Sequence, residues 1–512
     1  MAKKESNPTK DLYRELRAIP WSVLWLEEVP RFNQASHREQ LARVAVVRAV
    51  GAGFSEANRP DLRHDVRRWL ISLLQDPEEK IRRYAMNALP KVGAGGREER
   101  QLLKLLQSSP SDREKKFLGE ALNKIGGSAT LDLLQTRSQL LPRLTRQRVQ
   151  ANLARQEQPS SIRMDTQFPH SPSLRIHLRC RTGLESILSR EINETSPKFR
   201  ILDVHAGLVA VTPLSPFTLH DLYALRCFST ASFLLGTLPQ GEDRTDSLAG
   251  LIASPLALQL GRTFTRGPLR YRLELLTPDN SRSTILKTAQ RVFDLCPDLL
   301  NDSRQAPWAM EVQPGPSGRW VELRPRLTPD PRFPYRQQDV PAASHPPLAA
   351  AMARLAGPRR DEFVWDPFCG SGLELIERAR LGGVIRVLGT DLSATAIQAC
   401  QANWRAAQNP KVQADFVQRD FRDFLKIRSC TPGSVSLLIT NPPLGKRVPI
   451  PNLRGLLQEL LALASVALCP GGRMVWVNPV KIKSADPKLH AEFQQTVDLG
   501  GFACRLELLR KR

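Results

Sequence analysis

Apolar and polar positions change their period twice along the chain. From about residue 30 to residue 158 apolar residues recur every three or four positions, which predicts amphipathic helices. Two blocks in this stretch align at a spacing of 33: DPEEKIRRYAMNALPKVG (76–93) and SPSDREKKFLGEALNKIG (109–126). Asp76-Pro77 falls on Ser109-Pro110, Ala88-Leu89 on Ala121-Leu122, and Val92-Gly93 on Ile125-Gly126. Each block predicts a turn, a helix with small and apolar residues on one face, and a glycine C-cap. A fixed period in this range predicts a helical solenoid, taken as three or four helix pairs over residues 1–158.

QEQPSSIRMDTQFPHSPS (156–173) is polar with Pro and Ser, and reads as a linker. Beyond it the period shortens. SLRIHLRC alternates as a strand, GLESILSREI is an amphipathic helix, and ILDVHAGLVAVTP is a strand, turn and strand. Further strands are expected at FLLGTL, YRLELL and RWVELRP, so residues 173–336 read as a mixed α+β module. LTPDPRFPYRQQDVPAASHPP (327–347) reads as a second linker. From 361 onward strands and helices alternate. The strands are EFVWD, IRVLGTD, QADFVQRD, SLLIT, RMVWVN and ACRLELL; the helices are ELIERARLG, ATAIQACQANWRAA, LRGLLQELLALASVAL and PKLHAEFQQTVDL. Near-continuous apolar strands alternating with helices predict a parallel, doubly wound sheet over a domain at 340–512.

Charge narrows the partner. The 512 residues carry 74 Lys+Arg against 51 Asp+Glu, a net charge of +23, which suits a polyanion, most simply a nucleic acid. LPRLTRQRVQANLAR (141–155) is basic with no acid, and reads either as a docking arm for RNA or protein or as a solvated helix face. Eight cysteines are scattered from Cys180 to Cys504, without a CxxC pair or zinc-type Cys/His spacing, so no metal site is expected and a reduced compartment is. The basic start is followed by no apolar core of signal-peptide length, and no run approaches a membrane span. The expectation is a cytoplasmic chain with no membrane partner.

In a doubly wound sheet the ligand lies beyond the carboxyl ends of the strands. EFVWDPFCGSGLELIE (362–377) ends a strand on Asp366, and Gly370-Ser371-Gly372 then lets backbone approach a ligand before a helix begins. No GKS/T follows, and the pattern is not GxGxxG. An acid at this turn suits a ligand with an ammonium group, such as S-adenosylmethionine. Asp391, at the end of LGTD, can accept from two ribose hydroxyls. Asp420 in FVQRDFRDF can accept from an adenine amino group, with Phe421 placed to cover the ring. One such acid alone reads as a helix N-cap. Three in order on consecutive strands read as a cofactor site. The fourth strand, in LLITNPPLG (437–445), stops at Asn441 and two prolines that cannot continue it. Asn441 Oδ1 and the Pro442 carbonyl can accept from both N–H groups of an exocyclic amine and aim its lone pair at a methyl donor. A reacting base must leave its stack to reach such a corner.

DPFCGSG, GTDxSxxAIxxAxxN, RD and NPPLGKR, in this order, resemble the amino-group methyltransferases with a (D/N)PP(Y/F/W) motif. More closely they resemble the THUMP-associated RNA guanine-N2 methyltransferases, whose motif commonly reads NPPYGxR. RTGLESILSREI (181–192), LYALRCFSTASFLLG (222–236) and RFPYRQQDVPAASHPPLAAAM (332–352) resemble upstream segments of that family, so the match covers roughly 175–512. It implies a Rossmann-like methyltransferase domain, a THUMP-like (ferredoxin-like) RNA-binding module at 173–336, and S-adenosyl-L-methionine as cofactor. The implied reaction is methyl transfer to the exocyclic amine of guanine in rRNA or tRNA. Cofactor contacts are implied at His345, Asp366, Pro367, Phe368, Cys369, Gly370, Ser371, Gly372, Asp391, Leu392, Asp420, Phe421 and Asn441. Catalysis is implied at Asn441, Pro442, Pro443 and Leu444; Lys446 and Arg447 read either as phosphate contacts or as a solvated loop. The helical blocks resemble HEAT-type repeats, lie outside the match, and are read as the place for a protein partner. One residue departs from the family: Leu444 stands where an aromatic stacks on the flipped base, so either the leucine caps the ring more weakly, or Trp476 or Phe368 supplies a π face, or the substrate differs, or catalysis is lost. Two other readings share the sequence. One is the same chemistry on DNA adenine or a protein glutamine. The other is a non-catalytic helical-repeat scaffold with a vestigial methyltransferase fold.

Overall fold

The computed structural model describes residues 8–512 apart from 58, 109–110, 158, 240–243, 277–280, 317, 342, 429 and 446–449. Its contacts fall into two compact units, residues 1–161 with 237–321 and residues 162–236 with 322–512, so the middle stretch is shared between them.

In the first unit the helices include Ala45–Ala57, Arg63–Ser72, Glu79–Ala88, Gly96–Gln107, Asp112–Ile125, Ser128–Thr136 and Arg143–Glu157. Their apolar stripes meet in one core that contains Val47, Val50, Leu70, Ile81, Ala85, Leu102, Leu118 and Leu122. Side chains tie successive helices together. Arg82 Nε donates to Glu114 Oε1 at 2.7 Å, Ser111 Oγ to Glu79 Oε2 at 3.1 Å, and Arg67 Nε to Glu98 Oε1 at 2.9 Å. Buried Glu99 accepts from Thr130 N at 2.9 Å and Gly127 N at 2.6 Å. Gly93 closes its helix in the left-handed region at φ +74°, as expected. Gly126 does not: its φ is −61°, and a Cβ there would lie 2.6 Å from Leu122 O. Crowding, not handedness, selects that glycine. Ser109 and Pro110 lie outside the described residues. Gln147 Nε2 donates to Ala289 O at 3.3 Å, which ties the last of these helices to helix Arg282–Leu295 of the same unit. There strand Trp308–Gly315 runs parallel to Arg270–Leu275.

The second unit begins with strand Ile176–Arg179 paired antiparallel to Leu208–Pro213 and Thr230–Leu238, and with helix Glu185–Thr195. Phe168, inside the first expected linker, is buried and bridges to Phe217. The C-terminal domain then supplies seven strands: β1 Glu362–Asp366, β2 Val384–Asp391, β3 Gln413–Gln418, β4 Val435–Thr440, β5 Leu468–Asn478, β6 Leu489–Asp498 and β7 Ala503–Lys511. The order is β3-β2-β1-β4-β5-β7-β6. Helices α1 Pro346–Ala356, α2 Leu373–Arg380, α3 Ala394–Ala407 and α4 Leu453–Ala467 accompany it. Strand order reverses at β1, which has β2 on one side and β4 on the other, so the crevice opens beyond their carboxyl ends.

Two expectations need correction. The sheet is not parallel throughout, because β7 is antiparallel to both β5 and β6. PKLHAEFQQTVDL is not a helix but strand β6. Leu489, Phe493 and Val497 are spaced by four, which marks one helix face but also one strand parity. A bulge between Ala491 and Phe493 then moves the later two to the other side: Leu489 packs in the core with Leu509, while Phe493 and Val497 pair with Leu508 and Cys504.

Candidate active site

At the end of β1, Asp366 is fully buried. Its Oδ1 accepts from Thr440 Oγ1, the last residue of β4, at 2.7 Å and from Phe368 N at 3.1 Å. Its Oδ2 has no partner among the described residues. Burial pushes the Asp366 carboxyl well above the usual range, and the nearby Glu374 and Asp391 charges push the same way.

The turn that follows is shaped by glycine. Gly372 has φ +82°, and a Cβ on it would lie 2.5 Å from Cys400 Sγ on α3. Buried Cys369 donates its N–H to Thr390 O of β2 at 3.0 Å, and Gly370 N donates to Asp391 Oδ2 at 3.0 Å. Asp391 Oδ1 accepts from Ser393 N at 2.9 Å. The carboxylate is therefore fixed between two loops. Beside it Leu392 is 68% exposed.

Asp420 caps the turn that follows it, with Oδ1 accepting from Arg422 N at 2.9 Å and Oδ2 from Arg422 Nη1 at 2.9 Å, and each oxygen keeps a further lone pair. Phe421 is buried, with its ring centroid 5.1 Å from that of half-buried Phe368. Trp476, which pairs with Thr440 across β4 and β5, is fully buried. It offers no exposed face for stacking, whereas Phe368 is partly open.

At the end of β4, Asn441 Nδ2 donates to Ser344 Oγ at 2.9 Å. Ser344 Oγ in turn donates to Glu374 Oε1, at the start of α2. Asn441 Oδ1 is buried with no partner among the described residues. Pro442 is buried, and Pro443 and Leu444 are half-buried. Burial raises the Glu374 carboxyl above its ordinary value. His345 begins α1; its Nδ1 is buried and unpartnered, and burial with the Arg181, Arg336 and Arg332 charges lowers it to about 4. It is a neutral imidazole at pH 7. Lys446 and Arg447 lie outside the described residues.

The second expected linker is a strap held along its length. Arg332 is buried, donates to Phe228 O at 2.7 Å, and lies over the Phe228 ring at 4.0 Å. Tyr335 donates to Glu377 of α2, which Arg226 also grips at 2.7 and 2.6 Å. Asn403 of α3 accepts from Gln337 N and Gln338 N, both at 2.9 Å, and donates to Gln338 O at 2.8 Å and Ser371 O at 2.9 Å. Proline and polar composition suggest a loose joiner, because side chains from distant elements leave no local period. Sequence reasoning assigned no role to Ser344, Glu374 or Asn403. The available signals were an acid opening the apolar run of α2 and the asparagine that closes GTDxSxxAIxxAxxN. Among the described residues no cluster of His, Cys, Asp and Glu could hold a metal, and no helix is long and apolar enough to cross a membrane.

Residues 334–486 match the family UPF0020, described as RMKL-like, methyltransferase domain. Over 141 residues the chain is 28% identical to the tRNA (guanine(10)-N2)-dimethyltransferase of Methanothermobacter thermautotrophicus, covering 27% of this chain and 39% of that protein. Over 150 residues it is 28% identical to the protein of the same name from Methanocaldococcus jannaschii, covering 28% and 40%. The chain thus spans about two fifths of the length of these relatives. Among solved structures, TrmN from Thermus thermophilus superposes with a TM-score of 0.53 at 23% identity, over 66% of this chain and 100% of that one. SMU.472, solved complexed with SAH, superposes with a TM-score of 0.50 at 14% identity, over 68% and 99%. Residues 334–486 thus resemble a methyltransferase domain in sequence, and the chain shares the fold of these solved structures.

Proposed function

We propose that the chain is an S-adenosylmethionine-dependent RNA methyltransferase that modifies the exocyclic amine of a guanine in tRNA or rRNA. One observation carries this reading: the Asn441 amide has its donor end tied to Ser344 and its acceptor end buried and free. A buried carbonyl without a partner costs about 1–3 kcal/mol, so a substrate N–H is the natural occupant.

The cofactor fits the groups around it. Asp366, fully buried and with an unpartnered oxygen, would hold the ammonium. Asp391 would accept from the ribose hydroxyls, and the turn of Gly370 and Gly372 leaves room for close approach. Asp420 would accept from the adenine amine, with Phe421 and Phe368 beside the ring. Bound there, S-adenosylmethionine supplies an electrophilic methyl group and leaves as S-adenosylhomocysteine.

The chain's own work is orientation. Asn441 Oδ1 and the Pro442 carbonyl accept from the two N–H groups of the amine, which turns its lone pair out of the ring system. The prolines hold both acceptors in place before reaction. No strong base is required, because the methylated nitrogen releases its proton after the new bond has formed. Adenine and a glutamine amide also offer two N–H groups to this corner. The net charge of +23 favours a nucleic acid, and both curated relatives are named for guanine in tRNA. The strands and helix of residues 162–236 would grip RNA through shape and phosphate, and the helical repeats would take a protein partner.

The test uses total RNA from cells lacking the gene and methyl-labelled S-adenosylmethionine. The full chain should form N2-methylguanosine. Asn441→Ala should abolish turnover and leave cofactor affinity, measured by calorimetry, near that of wild type. Absence of N2-methylguanosine refutes the guanine assignment, and absence of cofactor binding leaves the scaffold reading in its place.

A further inference from the structure

We infer that Ser344 is a positioning residue that selects which end of the Asn441 side chain faces the amine being methylated. The inference rests on the role proposed above for Asn441.

The two ends of a primary amide are nearly the same size, and only the oxygen end can accept from an amine. Shape alone therefore does not choose. At Asn441 a hydrogen-bond chain does: Nδ2 donates to Ser344 Oγ at 2.9 Å, and Ser344 Oγ donates its single proton to Glu374 Oε1. With Glu374 Oε1 accepting that one proton, the hydroxyl is left with lone pairs for its other neighbour. Those lone pairs suit the NH₂ end of Asn441 and repel the oxygen end. Turning the amide over would place oxygen against oxygen and aim two donors at an amine that has only donors to offer.

Both partners are held firmly enough to enforce the choice. Glu374 is buried in the first turn of α2, next to Gly372 with its crowded Cβ position. Ser344 closes the strap whose Gln337 and Gln338 backbone is bound by Asn403, and the following residue begins α1. The amide reaches the crevice already turned, which is the condition for hydrogen bonds that strengthen in the transition state.

The test compares Ser344→Ala, Ser344→Thr, Asn441→Ala and wild type on total RNA from cells lacking the gene, in single turnover with labelled S-adenosylmethionine. Ser344→Ala should slow the methyl-transfer step by about 10- to 100-fold, the range seen when the group orienting a functional ligand is lost. Cofactor Kd, RNA affinity and Tm should stay within about twofold or a few degrees, since the interaction acts on orientation. Ser344→Thr, which keeps the hydroxyl, should recover most of the rate. A Ser344→Ala variant as fast as wild type beside an inactive Asn441→Ala overturns the positioning role alone. Full activity in Asn441→Ala overturns the underlying reading, and this inference with it. A Ser344→Ala rate that falls only in step with cofactor or RNA affinity, or a threonine variant no faster than the alanine one at unchanged Tm, also overturns it.

Discussion

Gly370 and Asp391 are joined by a hydrogen bond of 3.0 Å, from the glycine N–H to Asp391 Oδ2, and it locks the turn after β1 to the end of β2. Asp391 Oδ1 is held at 2.9 Å by Ser393 N. The carboxylate has lone pairs left to offer a ligand, in a direction set by the backbone. Asp391→Ala should therefore weaken S-adenosylmethionine binding by about 10- to 100-fold, or roughly 1.4–2.7 kcal/mol, through loss of charge-assisted acceptors and of the lock. Asp391→Asn, which keeps one acceptor oxygen, should fall between. Calorimetry checks both, and an unchanged affinity in the alanine variant removes the ribose role.

Asn403 is fully buried and uses both ends of its amide on backbone: two N–H groups of the strap on its oxygen, and Gln338 O and Ser371 O on its nitrogen. Asn403→Leu keeps the volume and strands four backbone groups. Each stranded buried group costs about 1–3 kcal/mol if water does not reach it. Tm should drop by several degrees and cofactor affinity should fall with it, because Ser371 lies in the glycine turn proposed to face the cofactor. An Asn403→Leu protein with wild-type Tm and affinity would show that the strap does not depend on this residue.

These two residues illustrate what the sequence made legible. Asp391 could be read because a buried parallel strand must be apolar, so an acid at its end faces the crevice. The same reasoning placed Asp366 and Asn441 at strand ends, and the helical blocks could be aligned because Asp76-Pro77, Ala88-Leu89 and Val92-Gly93 have counterparts 33 residues on. Asn403, Ser344 and Glu374 were silent. Their partners lie 30 to 97 residues away, and each has an ordinary local explanation: a polar helix face, a loop serine, an acid in a helix's first turn. Strand β6 was misread because a spacing of four satisfies both helix and strand, and only pairing with β7 decides.

His345 gives a pH dependence whose sign follows from its surroundings. Burial and three arginine charges lower its folded value to about 4, against an ordinary value of 6.5. Between those limits the unfolded chain takes up a proton that the folded chain refuses, so this residue's contribution to stability is whole above about pH 6.5 and falls as pH drops toward 4. The full difference is about 3 kcal/mol. Buried Asp366 and Glu374, both raised, act in the opposite sense, so the His345 share must be read as a difference between proteins. His345→Gln should lose less Tm than wild type between pH 7.5 and pH 5. Equal losses would place the imidazole in contact with water.

Leu444 is half-buried after the two prolines, with Trp476 fully buried and Phe368 turned partly toward Phe421. The corner proposed to orient the amine therefore offers a base an aliphatic surface. A leucine removes apolar area from water but lacks the π face that adds about 1–3 kcal/mol per stacked base. If the flipped base lies on this side chain, Leu444→Tyr should raise kcat/KM for RNA by about fivefold or more, mainly through KM, since stacking binds ground and transition states alike. Leu444→Ala should lower it, and cofactor Kd should move in neither. Steady-state kinetics on RNA from cells lacking the gene decides the matter. A tyrosine variant with unchanged or poorer kcat/KM, beside an alanine variant equal to wild type, would mean that the base is capped elsewhere, with the half-open Phe368 ring as the next residue to replace.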